Sequence, residues 1–145
     1  MSLHDAYDTQ NIFAKIIRGE IPCAKVFEDG EIMAFMDAFP QAKGHTLVIS
    51  KVAEARNLLD VDPASLTSTI LGVQRVARAI RSALHPDGLV ITQFNGAAAG
   101  QTVFHLHFHI IPRWEGVSPG AHGGSSIANI ADLKETAKKI ADYIT

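Results

Sequence analysis

The stretch Gln101-Thr-Val-Phe-His-Leu-His-Phe-His-Ile-Ile-Pro-Arg113 decides how this chain is read. Three of its seven histidines, His105, His107 and His109, stand at alternate positions, with Leu106 and Phe108 between them. Successive side chains of a strand point to opposite faces. A strand over 103–111 therefore puts the three imidazoles on one face and Leu106, Phe108 and Ile110 on the other. Neighbouring imidazoles would stand about 6.6 Å apart, from a rise of ~3.3 Å per residue. One face can anchor to a core while the other presents three titratable rings on a rigid support, as a catalytic constellation requires.

Two chemistries suit such a face. The first is a zinc site, because two histidines one residue apart on a strand can both ligate the ion. A hydrolytic zinc also wants a third ligand and a carboxylate base, and no Asp or Glu lies between Asn95 and Arg113. The second is nucleophilic attack by imidazole on phosphorus. A neutral ring is a competent nucleophile near neutral pH, provided its other nitrogen donates a hydrogen bond that fixes the tautomer. The segment just upstream, Asn95-Gly-Ala-Ala-Ala-Gly-Gln-Thr102, favours the second. Small residues let backbone N–H groups approach an anion, and Asn95, Gln101 and Thr102 add side-chain donors.

Working outward, Asn11 reads as the N-cap of a short helix over 12–18, with Ile12, Phe13, Ile16 and Ile17 along one face and Gly19 at its end. Strands are expected over 24–28 and 31–37, joined by the turn pair Asp29-Gly30, and over 45–50. Asp62-Pro63 opens the longest helix. Its expected buried stripe is Leu66, Ile70, Val73, Ala77, Ile80 and Leu84, which leaves Arg75, Arg78 and Arg81 on a solvated face. A strand over 89–94 precedes the histidine strand. A Pro/Gly/Ser-rich loop fills 112–128, and a last amphipathic helix runs over 129–143. Clustered strands with hairpin signals make this an α+β fold with a largely antiparallel sheet. The expected organisation is a loose segment over 1–10, a domain over 11–114, and a C-terminal loop and helix over 115–145.

The bulk composition excludes several classes. The chain has 145 residues, 47% hydrophobic and 19% charged, which suits one domain with a sizeable core. A net charge of −2 offers no basic field for nucleic acid or an anionic membrane. One cysteine, Cys23, allows no internal disulfide and no cysteine-rich zinc site. No signal-peptide pattern or spanning apolar run is visible, so a cytoplasmic protein is expected.

The run His105-Leu-His-Phe-His-Ile-Ile111, with Gly100-Gln-Thr-Val before it and Pro112-Arg113 after it, resembles the histidine-triad pattern of the HIT family. Asn11-Ile-Phe-Ala-Lys-Ile-Ile-Arg-Gly-Glu-Ile-Pro22 and Phe35-Met-Asp-Ala-Phe-Pro-Gln-Ala-Lys-Gly-His-Thr-Leu-Val-Ile49 resemble its opening helix and nucleotide-facing strand pair. The resemblance implies a HIT-like fold whose five-stranded sheet continues across a homodimer. It implies a hydrolase or transferase acting at the α-phosphate of a purine nucleotide. His107 would be the nucleophile, His109 would contact the α-phosphate, and His105 would hold the site. His45 would support His105 from the adjacent strand. Asp37 would accept from the ribose hydroxyls, and Phe13, Ile16 and Phe35 would wall the base pocket. Asn95, Gln101 and Thr102 would meet the phosphate and leaving group. Some relatives bind a structural zinc through Cys-x-x-Cys in the opening helix. Asn11 and Ala14 stand there in this chain, so neither a metal nor a cofactor is expected. His109 argues against the branch whose triad ends in glutamine, and the opening helix favours the Hint-like over the Fhit-like branch. The expected substrates are nucleoside phosphoramidates, then dinucleoside polyphosphates. The other reading is a nucleotide-binding regulatory module with little turnover. His4, His85 and His122 match nothing in the pattern and read as surface residues.

Overall fold

The structure, a computed structural model, describes residues 3–120 and 126–145. Five strands form one antiparallel sheet: β1 (Lys25–Glu28), β2 (Ile32–Met36), β3 (Thr46–Ser50), β4 (Gly88–Thr92) and β5 (His107–Arg113). Their order across the sheet is β1-β2-β3-β5-β4, so β4 and β1 are the edges and β5 lies between β3 and β4. Three helices complete the fold: α1 (Ile12–Ile17), α2 (Pro63–Leu84) and α3 (Ile130–Ala141).

Alternation along β2, β3 and β5 sorts their side chains into two layers. Ile32, Ala34, Met36, Val48, Phe108 and Ile110 join the larger core beneath α2 and α3. Met33, Phe35, Leu47 and Ile49 pack with Phe13 and Ile16 of α1 on the other side. His107 and His109, alternating with Phe108 and Ile110, fall on the α1 side. With both faces covered, β2 and β3 are buried at every position.

Local chemistry accounts for the helix ends. The Asn11 side chain accepts from the Ala14 N–H, and Asp62 accepts from the Ser65 N–H ahead of Pro63. The buried stripe of α2 includes Val73, Ala77 and Ile80 as expected, with Leu66 and Leu84 partly buried against the same core. It runs through Ser65, Thr69, Gly72, Val73, Val76, Ala77, Ala79, Ile80 and Ala83, and Ile70 and Leu71 are exposed. Gly72 on this face lies close against the sheet. A Cβ added at Gly72 would stand 2.3 Å from Ile32 Cδ1. Arg78 and Arg81 are exposed as expected, but Arg75 is half-buried with its guanidinium 4.4 Å from the centre of the Phe27 ring.

The histidine strand starts later than expected, at His107 rather than at residue 103. β3 explains the shift. Its register pairs Ile49 with His107 and ends at Ser50, after which the chain turns away and His105 has no strand to pair with. Leu106 instead donates its N–H to the Ala55 carbonyl at 2.8 Å. At the other end β5 continues through Pro112, beyond Ile110, the last residue paired to β3. At most one neighbouring strand could have used the missing N–H there.

Residues 3–10, polar and expected to be loose, make specific contacts. The Tyr7 hydroxyl lies 2.7 Å from His105 Nδ1. The Ala6 carbonyl accepts from Arg56 Nη1 at 3.4 Å, and the Thr9 carbonyl accepts from Arg18 Nη1 at 2.8 Å. His4 and His85 are exposed, the latter as the left-handed C-cap of α2, and His122 lies outside the described residues. No helix among the described residues is long and apolar enough to cross a membrane.

Candidate active site

His107 Nδ1 lies 2.6 Å from the backbone carbonyl of His105. A carbonyl oxygen only accepts, so Nδ1 carries the proton and the lone pair of the neutral ring is on Nε2. That is the tautomer a nucleophilic imidazole needs. The ring is gripped by Phe13, edge-on at 4.9 Å between centroids, and by His109 at 5.0 Å.

His45 Nδ1 accepts from the Gln41 backbone N–H at 3.0 Å, so the proton of neutral His45 is on Nε2. Nε2 lies 3.0 Å from His109 Nδ1 and 3.3 Å from an Asp37 carboxylate oxygen. The shorter contact makes His109 Nδ1 the acceptor, which leaves the His109 proton on Nε2 as a donor. With Nδ1 occupied as an acceptor, His45 is neutral, and its approach to Asp37 is a weak second branch of one hydrogen bond, not an ion pair. The adjacent rings of β5 thus present complementary atoms, a lone pair on His107 Nε2 and an N–H on His109 Nε2.

This arrangement corrects one expectation. His45 supports His109, not His105. The antiparallel register pairs Thr46 with Ile110 and Ile49 with His107, so the β3 end that carries His45 lies beside His109. His105 lies beyond the opposite end, and its Nε2 reaches the Ser50 carbonyl at 2.7 Å. With Tyr7 on Nδ1, both nitrogens of His105 are engaged, and burial holds its pKa below the usual imidazole range.

The turn ahead of the histidines is built by Gly96 and Gly100, at φ 90° and 105°, on either side of a single 3-10 turn at Ala97–Ala99. Gln101 is expected to meet the phosphate, but its side chain is buried inside this turn. Its Oε1 accepts from the Gly96 N–H at 2.8 Å, and its Nε2 donates to the Arg56 and Val103 carbonyls. It therefore shapes the turn and has no side-chain group left over for an anion. Asn95 Oδ1 accepts from the Leu58 N–H and from Gln93 Nε2. Thr102 is exposed at the turn's end. Asp37 accepts from the Phe39 N–H at 2.8 Å, which fixes its carboxylate at the mouth of the β2–β3 loop. Phe13, Ile16 and Phe35 retain 7%, 9% and 3% exposure, so they are mainly core residues that support the histidine face.

Three residues at or behind the site carry no motif. Phe94 packs edge-on against His109 at 5.5 Å. Arg56, 1% exposed, lies over Phe104 and near Asp5. Tyr7 is held by a partner 98 residues away. Phe94, an aromatic beside the glycine turn, was the available signal, and it is not specific.

Asp37, His45 and His109 have donor atoms within 4.8 Å of one another, which is close enough to consider a cation. The hydrogen bonding opposes it. A neutral His45 ligating through Nε2 would carry its proton on Nδ1, directly against the Gln41 N–H. The opening helix offers no substitute, since Asn11 is occupied as its cap and Ala14 is buried.

Three histidines in line on a sheet, the first ahead of the strand and the last backed by a fourth, define a histidine-triad protein. The comparisons agree. The HIT domain model matches residues 18–116. A Hit-like protein from Bartonella henselae, described as involved in cell-cycle regulation and solved with an unknown ligand, is 51% identical. It superposes with a TM-score of 0.91 over 96% of this chain and 99% of that one. A HIT-like protein of Methanocaldococcus jannaschii is 43% identical over 129 residues, 89% of this chain and 97% of that one. The adenylylsulfatase HINT3 of Arabidopsis thaliana is 40% identical over 104 residues, 72% of this chain and 52% of that one. The chain belongs to the HIT family.

Proposed function

We propose that this protein is a nucleotide hydrolase that cleaves at the α-phosphate of purine nucleoside phosphoramidates or related nucleotides through a nucleotidyl-histidine. The observation that carries the reading is the Nδ1–H of His107 on the His105 carbonyl, which assigns the lone pair to Nε2. In the first step Nε2 forms a bond to the α-phosphorus while the bond from phosphorus to the leaving nitrogen or oxygen breaks, and the leaving group takes up a proton from solvent. The Nε2–H of His109 donates to the phosphoryl oxygens as charge gathers there. In the second step water attacks phosphorus and gives up a proton to solvent, the N–P bond breaks with its electron pair returning to Nε2, and the nucleoside monophosphate leaves with neutral His107 restored. Asp37, an acceptor of two hydrogen bonds at most per oxygen, suits the vicinal hydroxyls of ribose. The relation to an adenylylsulfatase supports an adenylyl substrate.

The protein acts as a homodimer in this reading. β4 is an edge strand, and its Val90 and Ile91 are 40% and 47% exposed. Ile70 and Leu71 of α2 are also exposed, and Ile70 and Ile91 line one surface groove. An uncovered apolar edge is an invitation to pairing, and a second copy would extend the sheet.

The test is release of AMP from adenosine 5′-phosphoramidate in excess EDTA. Turnover by the wild type and its loss in a folded His107→Ala variant is the expected result. AMP binding with no turnover of any nucleotide amide or ester would leave the regulatory binding module as the better reading.

A further inference from the structure

The proposed chemistry depends on one tautomer of His107, and the hydrogen bonds that set it continue past His105. His105 Nε2 faces the Ser50 carbonyl at 2.7 Å and must bear the proton, so Nδ1 is an acceptor. The Tyr7 hydroxyl, 2.7 Å from Nδ1, is then its donor. The tyrosine ring meets the imidazole edge-on, at 5.8 Å between centroids and 62° between planes. The polarity runs one way, from Tyr7 O–H to His105 Nδ1, then from His105 Nε2–H to the Ser50 carbonyl. The carbonyl of the same His105 receives the Nδ1–H of His107.

We infer that Tyr7 is a positioning residue for catalysis: its hydroxyl fixes the tautomer and seat of His105, whose backbone carbonyl in turn fixes the tautomer of the nucleophile His107. The inference rests on the function proposed above. Other contacts of the same segment hold Tyr7 in place and reach the glycine turn. The Ala6 carbonyl and the Asp5 carboxylate both approach Arg56 Nη1, at 3.4 and 3.8 Å. The Arg56 carbonyl accepts from Gln101 Nε2 inside the turn. Leu3 covers Gly96, where an added Cβ would meet Leu3 Cδ2 at 3.2 Å. Burial raises the Tyr7 pKa, so the hydroxyl keeps its proton and remains a donor across the working pH range. No motif contains this residue; it acts on the site from outside the triad.

Tyr7→Phe keeps the ring and removes the hydroxyl, and with it the donor to His105 Nδ1 and the hydrogen bond with the Asn11 side chain. His105 can then exchange to the other tautomer, which gives up the Ser50 bond and loosens the carbonyl that holds His107. The experiment combines steady-state kinetics with ¹⁵N NMR of the histidine side chains, in the wild type and in Tyr7→Phe. In the wild type, His105 is expected as Nε2–H with a hydrogen-bonded, unprotonated Nδ1, and His107 as Nδ1–H. In Tyr7→Phe, mixed tautomers at His105 are expected, with kcat down about tenfold, the loss expected for one buried hydrogen bond, and KM unchanged. Wild-type kcat with an unchanged His105 tautomer would overturn the inference. So would a loss of kcat in proportion to the unfolded fraction with both tautomers intact. If Tyr7→Phe does not fold, the wild-type spectrum decides, and an Nδ1–H at His105 would overturn the inference. If the wild type turns over no nucleotide, the proposed function fails, while the spectra still decide whether Tyr7 sets the tautomer.

Discussion

At the scale of single residues, the site is an arrangement of proton positions. His45 takes a backbone N–H on Nδ1 and passes its own Nε2–H to His109, which then presents a donor beside the lone pair of His107. Replacing His45 with Ala removes the donor to His109 Nδ1 and lets that ring divide between tautomers. We predict that kcat falls about 10²-fold in a folded His45→Ala variant, the scale of losing one oxyanion donor, measured by AMP release at saturating substrate. His105 contributes through its burial, with both ring nitrogens engaged inside the fold. Burial pulls its pKa below the usual range, against the smaller opposing effect of the Ser50 hydrogen bond. In acid the unfolded chain therefore binds a proton that the fold refuses. The stability contribution is full above about pH 6.5 and declines as pH falls from there through the folded-state pKa. Thermal unfolding from pH 8 to 5 should show a falling midpoint on the acid side, and His105→Gln should flatten that slope.

At the scale of elements, the glycine turn is the part most sensitive to a single methyl group. Gly96 has φ 90° and ψ 153°, a region essentially confined to glycine, and Leu3 lies over it. Gly96→Ala should cost about 1–3 kcal/mol of stability, read by denaturant unfolding, and should lower kcat through displacement of the turn. The turn also shows how far the sequence could be read. Its small residues and its lead into the histidines are explicit in residues 95–109, and the caps Asn11 and Asp62 act where their residue types say they should. Three features were not legible. The late start of β5 is set by where β3 ends, a relation between segments more than 50 residues apart. The buried face of α2 includes a close approach of Gly72 to Ile32, which the spacing of apolar residues does not show, and it leaves Ile70 exposed. The partner of His45 depends on register, and alternation alone shows only which residues share a face. Gln101 has the composition of a phosphate contact, and its actual bonds appear only once the turn is folded.

At the scale of the whole molecule, two surfaces of one sheet divide the work. The face under α2 and α3 holds the larger core, and the face under α1 carries the histidines. The β4 edge remains open, with Val90 and Ile91 exposed beside Ile70 of α2. We predict a dimer by sedimentation and a monomer for Ile91→Asp, since a carboxylate in an apolar strand-edge interface loses its solvation. A wild-type monomer at micromolar concentration would rule out the dimer. The covalent step at His107 can be observed directly. Wild-type protein is mixed with excess adenosine 5′-phosphoramidate in EDTA, quenched in alkali at early times, digested and mapped by mass spectrometry. One adenylyl group is expected on the peptide that contains His107, located on that residue and absent from His107→Ala. AMP release without any such adduct at any time, or an adduct on His105 or His109, would contradict it.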